Sequence, residues 1–80
     1  MTLTVLLFAS YADALGRSAV DLSLPAGSTV RELVARLGEL PGADRLPPAP
    51  LVAVNQRYAR ADQVLRPGDE VAVIPPVAGG

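Results

Sequence analysis

Thr29-Val30-Arg31-Glu32-Leu33-Val34-Ala35-Arg36-Leu37-Gly38 carries the clearest local signal in the chain. Thr29 and Glu32 have the spacing of a capping box: the Thr29 hydroxyl accepts from the Glu32 amide, and the Glu32 carboxylate reaches back to the Thr29 amide. Val30, Leu33, Val34 and Leu37 recur at i, i+3, i+4 and i+7, one apolar stripe of a helix, and Gly38 stands near its end. A helix with a single apolar face must bury that face against something. The flanking segments decide what.

Upstream, Leu3-Thr4-Val5-Leu6-Leu7-Phe8 reads as a strand with Leu3, Val5 and Leu7 on one face. Residues 10–18 form a connector that can hold one helical turn at Tyr11-Ala12-Asp13-Ala14-Leu15, closed by Gly16. Val20-Asp21-Leu22-Ser23-Leu24 alternates cleanly, as a half-buried strand does, and Pro25-Ala26-Gly27 stops it. Downstream, residues 41–50 are rich in Pro, Gly and Ala and read as a loop. Leu51-Val52-Ala53-Val54 is a short strand, Asn55-Gln56 suit a turn, and Tyr58 begins a brief extended piece. Leu65-Arg66-Pro67-Gly68-Asp69 is a turn. Glu70-Val71-Ala72-Val73-Ile74 is the last strand, with Val71 and Val73 inward, and Pro75-Pro76 ends it.

The order is strand, strand, helix, strand, minor strand, strand. A hairpin followed by a helix that crosses one sheet face is an α+β layout. With the first and last strands side by side at the centre, it is the β-grasp, or ubiquitin-like, fold: a mixed sheet packed on one main helix. Eighty residues leave room for a single domain, 1–80, with residues 75–80 expected as a flexible tail.

Composition narrows the chemistry. The chain has no Cys and no His, its seven basic residues are all Arg, and its net charge is −1. No disulfide or ordinary zinc site can staple so small a domain, so apolar packing must hold it. No imidazole base, thiol nucleophile or Schiff-base amine is available, and no metal site is expected. Ferredoxin-type function is excluded for the same reason. Neither nucleic acid nor an anionic membrane is favoured as a partner. No signal-like start and no run near ~18 apolar residues is present, so a soluble cytoplasmic domain is expected.

Two features remain. Phe8 and Ile74 alternate out of the inward set, so neighbouring first and last strands would bring them together on the far face, with Tyr58 close by. An apolar cluster there suggests a protein interface; tucking of Phe8 and Ile74 under the loop at 41–50 is the competing reading. The second feature is the ending, Pro75-Pro76-Val77-Ala78-Gly79-Gly80. At ~3.3 Å per residue these six could reach roughly 20 Å past the sheet. The prolines favour a stiff, extended exit, and glycines without Cβ can thread a narrow channel. The Gly80 carboxylate becomes reactive only when activated, for instance as an acyl adenylate. Frayed glycines without a role are the alternative.

Together, Val5-Leu6-Leu7-Phe8-Ala9, Ala53-Val54-Asn55-Gln56, Pro67-Gly68-Asp69-Glu70-Val71-Ala72 and the Ile74-to-Gly80 ending resemble the MoaD/ThiS family of ubiquitin-like sulfur carriers over essentially the whole chain. The Pro-Pro-Val-small-Gly-Gly ending is most similar to the molybdopterin branch. That resemblance implies a sulfur carrier subunit of molybdopterin synthase, not an enzyme on its own and binding no cofactor. An E1-like activating enzyme would use ATP to adenylate Gly80, and a sulfur donor would make the thiocarboxylate. The tail, Gly79 included, would then enter the large subunit of a heterotetramer and give sulfur to cyclic pyranopterin monophosphate.

It also implies partner contact through Phe8, Tyr58, Ile74 and the tail residues Pro75, Pro76, Val77 and Ala78. Asp69 and Glu70 match acidic positions that help dock the activating enzyme, although an ordinary solvated turn fits the pair equally. Ala12-Asp13 departs from a common Arg-Glu pair, and Tyr58 replaces a common aliphatic residue. Other clients (thiamin thiazole, tRNA thiolation, cysteine synthesis), protein modification through Gly80, and an interaction module with an inert tail are the alternatives.

Overall fold

The computed structural model describes residues 1–46 and 50–75. The strands are β1 (Thr2–Leu7), β2 (Ala19–Ser23), β3 (Leu51–Val54), β4 (Arg57–Tyr58) and β5 (Val71–Ile74), in one sheet of order β2-β1-β5-β3-β4. The first and last strands lie parallel at its centre, in the register Val5↔Val71 and Leu7↔Val73. The other neighbours are antiparallel, β2 on β1 and both β5 and β4 on β3. With the main helix α2 (Val30–Leu37) across one face, this is the β-grasp fold.

Period-two alternation aims Leu3, Val5 and Leu7 of β1, Val52 and Val54 of β3, and Val71 and Val73 of β5 at the helix side. Val30, Leu33 and Leu37 of α2 meet them, and Val5, Leu33, Val71 and Val73 have no exposed surface at all. Burying a Leu or Val side chain stabilises by about 1.5–3 kcal/mol, so this layer supplies the stability that no disulfide could. The strands begin or end one residue away from the sequence reading. Phe8 follows β1 and Glu70 precedes β5, although the Phe8 amide still donates to the Val73 carbonyl at 3.2 Å.

The capping box forms, with the Glu32 amide donating to Thr29 Oγ1 at 3.4 Å and the Thr29 amide to Glu32 Oε1 at 3.3 Å. Two further amides at that helix end are met from far along the chain. Val30 donates to the Gln63 carbonyl at 3.0 Å and Arg31 to the Ala61 carbonyl at 2.9 Å. The segment before the last turn therefore closes the N-terminus of α2 and carries Leu65 into the core, 1% exposed.

The connector after β1 holds more than one expected turn. It forms α1 (Ser10–Leu15), ended by Gly16 in the left-handed region at φ 70°, and it buries Tyr11 completely against the core. The bend into α1 falls on Ala9, at φ 49° and ψ −122°. That conformation is open to glycine and costs a residue with a Cβ about 1–3 kcal/mol. Ala9→Gly is expected to stabilise the fold by about 1 kcal/mol after the entropy of the added glycine is counted. Thermal denaturation should show a rise of about 4–8 °C for a domain of this size. An unchanged or lower Tm would mean that the bend is unstrained.

Candidate functional site

The face of the sheet away from α2 is built row by row across the strands. Register places Leu6 of β1 beside Ala72 of β5, Ala72 beside Ala53 of β3, and Ala53 beside Tyr58 of β4. Two alanines in the middle of that row leave a floor, and the larger side chains around them leave walls. The result is a shallow groove of about 310 Å³ with Leu6 and Phe8 on one side, Gln56 and Tyr58 on the other, and Ile74 and Glu70 along β5. Phe8 is 47% exposed and Tyr58 72%, while Ile74 is half-buried. The exposure of Phe8 disagrees with its being tucked under the loop at 41–50.

The groove is polar at one end and apolar at the other. Just before and along β5 the outward residues run from Glu70 through Ala72 to Ile74, after which Pro75 leaves the sheet. The sequence-predicted positions Phe8, Tyr58, Ile74 and Glu70 are thus brought together on one groove. Pro76, Val77, Ala78, Gly79 and Gly80 lie outside the described residues.

Asp69 is placed differently from Glu70. One carboxylate oxygen accepts from the Arg66 amide at 2.8 Å, and the other accepts from Asn55 Nδ2 at 2.9 Å. The hydrogen bonds from the Arg66 amide and then the Asn55 side chain hold its pKa below the ordinary 3.8; burial opposes them, and the Arg66 charge adds a lesser lowering. Asn55 also accepts from the Glu70 amide through Oδ1, at 2.9 Å. It can do this because the β3–β4 turn puts Asn55 and Gln56 at φ 52° and 70°, a two-residue turn with both central residues left-handed. Asn tolerates that region; Gln56 carries a side chain there at some cost. The sequence suggested a turn at Asn55-Gln56, yet nothing local showed that its side chain would clip a second turn 14 residues away.

No group of three or more His, Cys, Asp or Glu residues among those described could hold a metal ion. No helix among them is long and apolar enough to cross a membrane. Both oxygens of Asp69 are engaged, one by the Arg66 amide of its own turn and the other by the Asn55 side chain of the β3–β4 turn.

The model of the ThiS family matches residues 5–80. The chain belongs to the ThiS family. It is similar to the molybdopterin synthase sulfur carrier subunit of Dictyostelium discoideum, 36% identical over 95% of this chain and 93% of that protein. It is 38% identical to the human protein of the same description, over 95% of this chain and 91% of the other. Among solved structures, one described as subunit 1 of a molybdopterin converting factor from Pyrococcus furiosus superposes with a TM-score of 0.83 at 27% identity, covering 96% of this chain and 99% of that one.

In this ThiS-family chain the turn at Asp69 is a separable, titratable part of the outer face. Its folded pKa is depressed, so it adds stability that is present above its unfolded value of ~3.9 and is lost as pH falls through the folded value. Asp69→Ala is therefore expected to lower Tm at pH 6–7. The gap from the unsubstituted chain should close as pH falls below 3.8 and through the depressed folded value. Thermal melts across that range test it, and a gap independent of pH would show that the carboxylate charge contributes nothing.

Proposed function

We propose that this chain is the sulfur carrier subunit of a molybdopterin synthase and that its reactive group is the Gly80 carboxylate. The observation that carries the reading is near-full-length similarity to relatives so described, in a chain that has no His, Cys or Lys and ends in Gly79-Gly80. A molecule without an imidazole, a thiol or a side-chain amine can still carry a group on its terminus.

The chemistry follows from the reactivity of a carboxylate. An ionised acid at neutral pH resists attack, so an activating enzyme of the E1-like type supplies ATP. A Gly80 oxygen attacks the α-phosphorus, pyrophosphate leaves, and an acyl adenylate forms. A sulfur donor delivers sulfide equivalents to the acyl carbon, AMP departs, and the thiocarboxylate remains. The large subunit of the synthase then receives the tail and catalyses sulfur transfer to the pterin substrate, cyclic pyranopterin monophosphate. The small subunit binds no cofactor and acts in the cytoplasm. Its contribution is to dock, and docking falls to the outer-face groove with Phe8, Tyr58 and Ile74. Pro75 starts the tail at the apolar end of that groove, so a partner covering Phe8 and Ile74 also meets the tail where it leaves the body.

Two outcomes are expected. Deleting Gly80 should abolish thiocarboxylate formation and sulfur transfer while the Tm stays within about 2 °C of the full chain, because nothing of the core is removed. Mass spectrometry after incubation with activating enzyme, ATP and sulfur donor reads this directly as one oxygen exchanged for sulfur. Transfer by the truncated chain would sink the terminal-carboxylate mechanism. Phe8→Asp should weaken binding to the large subunit by at least about tenfold, as loss of an apolar anchor does, with little change in stability because Phe8 is already half exposed. A collapse in Tm would instead make Phe8 part of the core.

A further inference from the structure

Three acidic side chains lie on the outer face near the polar end of the groove, and the fold treats them differently. Asp21 accepts from Thr4 Oγ1 at 2.7 Å, and Asp69 is held by the Arg66 amide and Asn55. The Glu70 carboxylate has neither a hydrogen bond nor an ion pair among the described residues. Its backbone, by contrast, is fixed at both polar groups: the amide donates to Asn55 Oδ1 at 2.9 Å, and the carbonyl accepts from the Asn55 amide at 2.8 Å. Glu70 is exposed and lines both the apolar groove and an adjoining polar depression of about 330 Å³ bounded by Thr2, Thr4 and Asp69. A free carboxylate on a pinned backbone, at the mouth of an apolar groove, is a preorganised half of an ion pair.

We propose that Glu70 is the specificity-determining residue of the groove. It selects a partner polypeptide that sets an apolar side chain on the Ala53–Ala72 floor and an Arg or Lys roughly 7 Å away, two strand residues along β5. Charge complementarity decides the occupant. An anionic C-terminus, from this chain or a second copy, is repelled at the Glu70 end, and a cationic rim is attracted. Asp69 and Asn55 are positioning residues that act through Glu70. The identity of the partner rests on the sulfur-carrier reading, and the large subunit of the cognate molybdopterin synthase is therefore the probe.

Binding is measured by calorimetry at about 50 mM and about 500 mM salt, where screening lengths differ severalfold. Glu70→Gln should weaken binding about five- to tenfold at low salt, with the difference vanishing at high salt. Glu39→Gln removes the same charge on the helix side of the sheet, where Glu39 pairs with Arg36, and should leave affinity unchanged. Asp69→Asn keeps the Glu70 charge but loosens the Asn55 clip, so it should lower Tm and weaken low-salt binding by less than Glu70→Gln does; unchanged low-salt binding would remove Asp69 from a positioning role. A Glu70→Gln chain that binds like wild type at low salt, or a Glu39→Gln chain that weakens equally, overturns the assignment of Glu70 alone. Wild-type chain that fails to bind the large subunit at either salt concentration overturns the sulfur-carrier reading and this inference with it.

Discussion

The parallel pairing of β1 with β5 is the constraint on which the rest depends. Each half of the chain makes its own hairpin, β1 with β2 and β3 with β4, and neither hairpin has enough apolar surface to persist alone in water. Joining Leu7 to Val73 turns two hairpins into one sheet with a continuous apolar face, and α2 then has a surface wide enough to cover. The contact is among the most distant in sequence that the chain can make, so its loop-closure cost is repaid only when the whole layer of Val5, Leu33, Val71 and Val73 is buried at once. Absence of Cys removes the usual way of lowering that cost. The sheet centre is accordingly filled with Val and Leu rather than with anything polar.

This division explains what could be read in the sequence. Elements whose burial follows a local period were legible: the stripe on α2, the alternation in β1, β2, β3 and β5, and the outward placement of Phe8 and Ile74. Elements positioned by distant partners were not. Tyr11 sits in a connector with no apolar rhythm, and it is core only because β1 and α1 fold back over the same layer. Leu65 lies beside a Pro-Gly turn, but the carbonyls of Ala61 and Gln63 draw its segment onto the N-terminus of α2. The Ala9 bend has no sequence mark at all, since glycine would be the expected residue there.

The candidate site divides along the same line. Alternation placed its aromatic and aliphatic members on one face, yet register alone revealed that Ala53 and Ala72 sit side by side and make a groove of what would otherwise be a flat surface. Asp69 and Glu70 look equivalent as a string. Asn55 separates them, because one amide side chain binds the carboxylate of the first and the backbone of the second. A polar side chain with its valences used locally is structure, and one whose valences are left open beside apolar surface is available for recognition.

A reactive terminus and a docking surface are useful to each other only if their separation is fixed. Under the proposed function one stretch of chain serves both: Glu70, just before β5, and Ala72 and Ile74 on it line the groove, and Pro75 follows directly. Because β5 is paired on both sides, with β1 and with β3, its end cannot drift relative to Phe8 and Tyr58. In the proposed complex, a partner held on the groove therefore also meets the chain at a fixed Pro75. In the proposed transfer, delivery of Gly80 would then be an intramolecular search within the complex, with an effective concentration on the order of millimolar, instead of a second encounter from solution. An edge strand could not have done this, since half of its backbone would be unpaired and its end free to fray. The central position of the last strand thus ties the folding constraint to the proposed transfer chemistry.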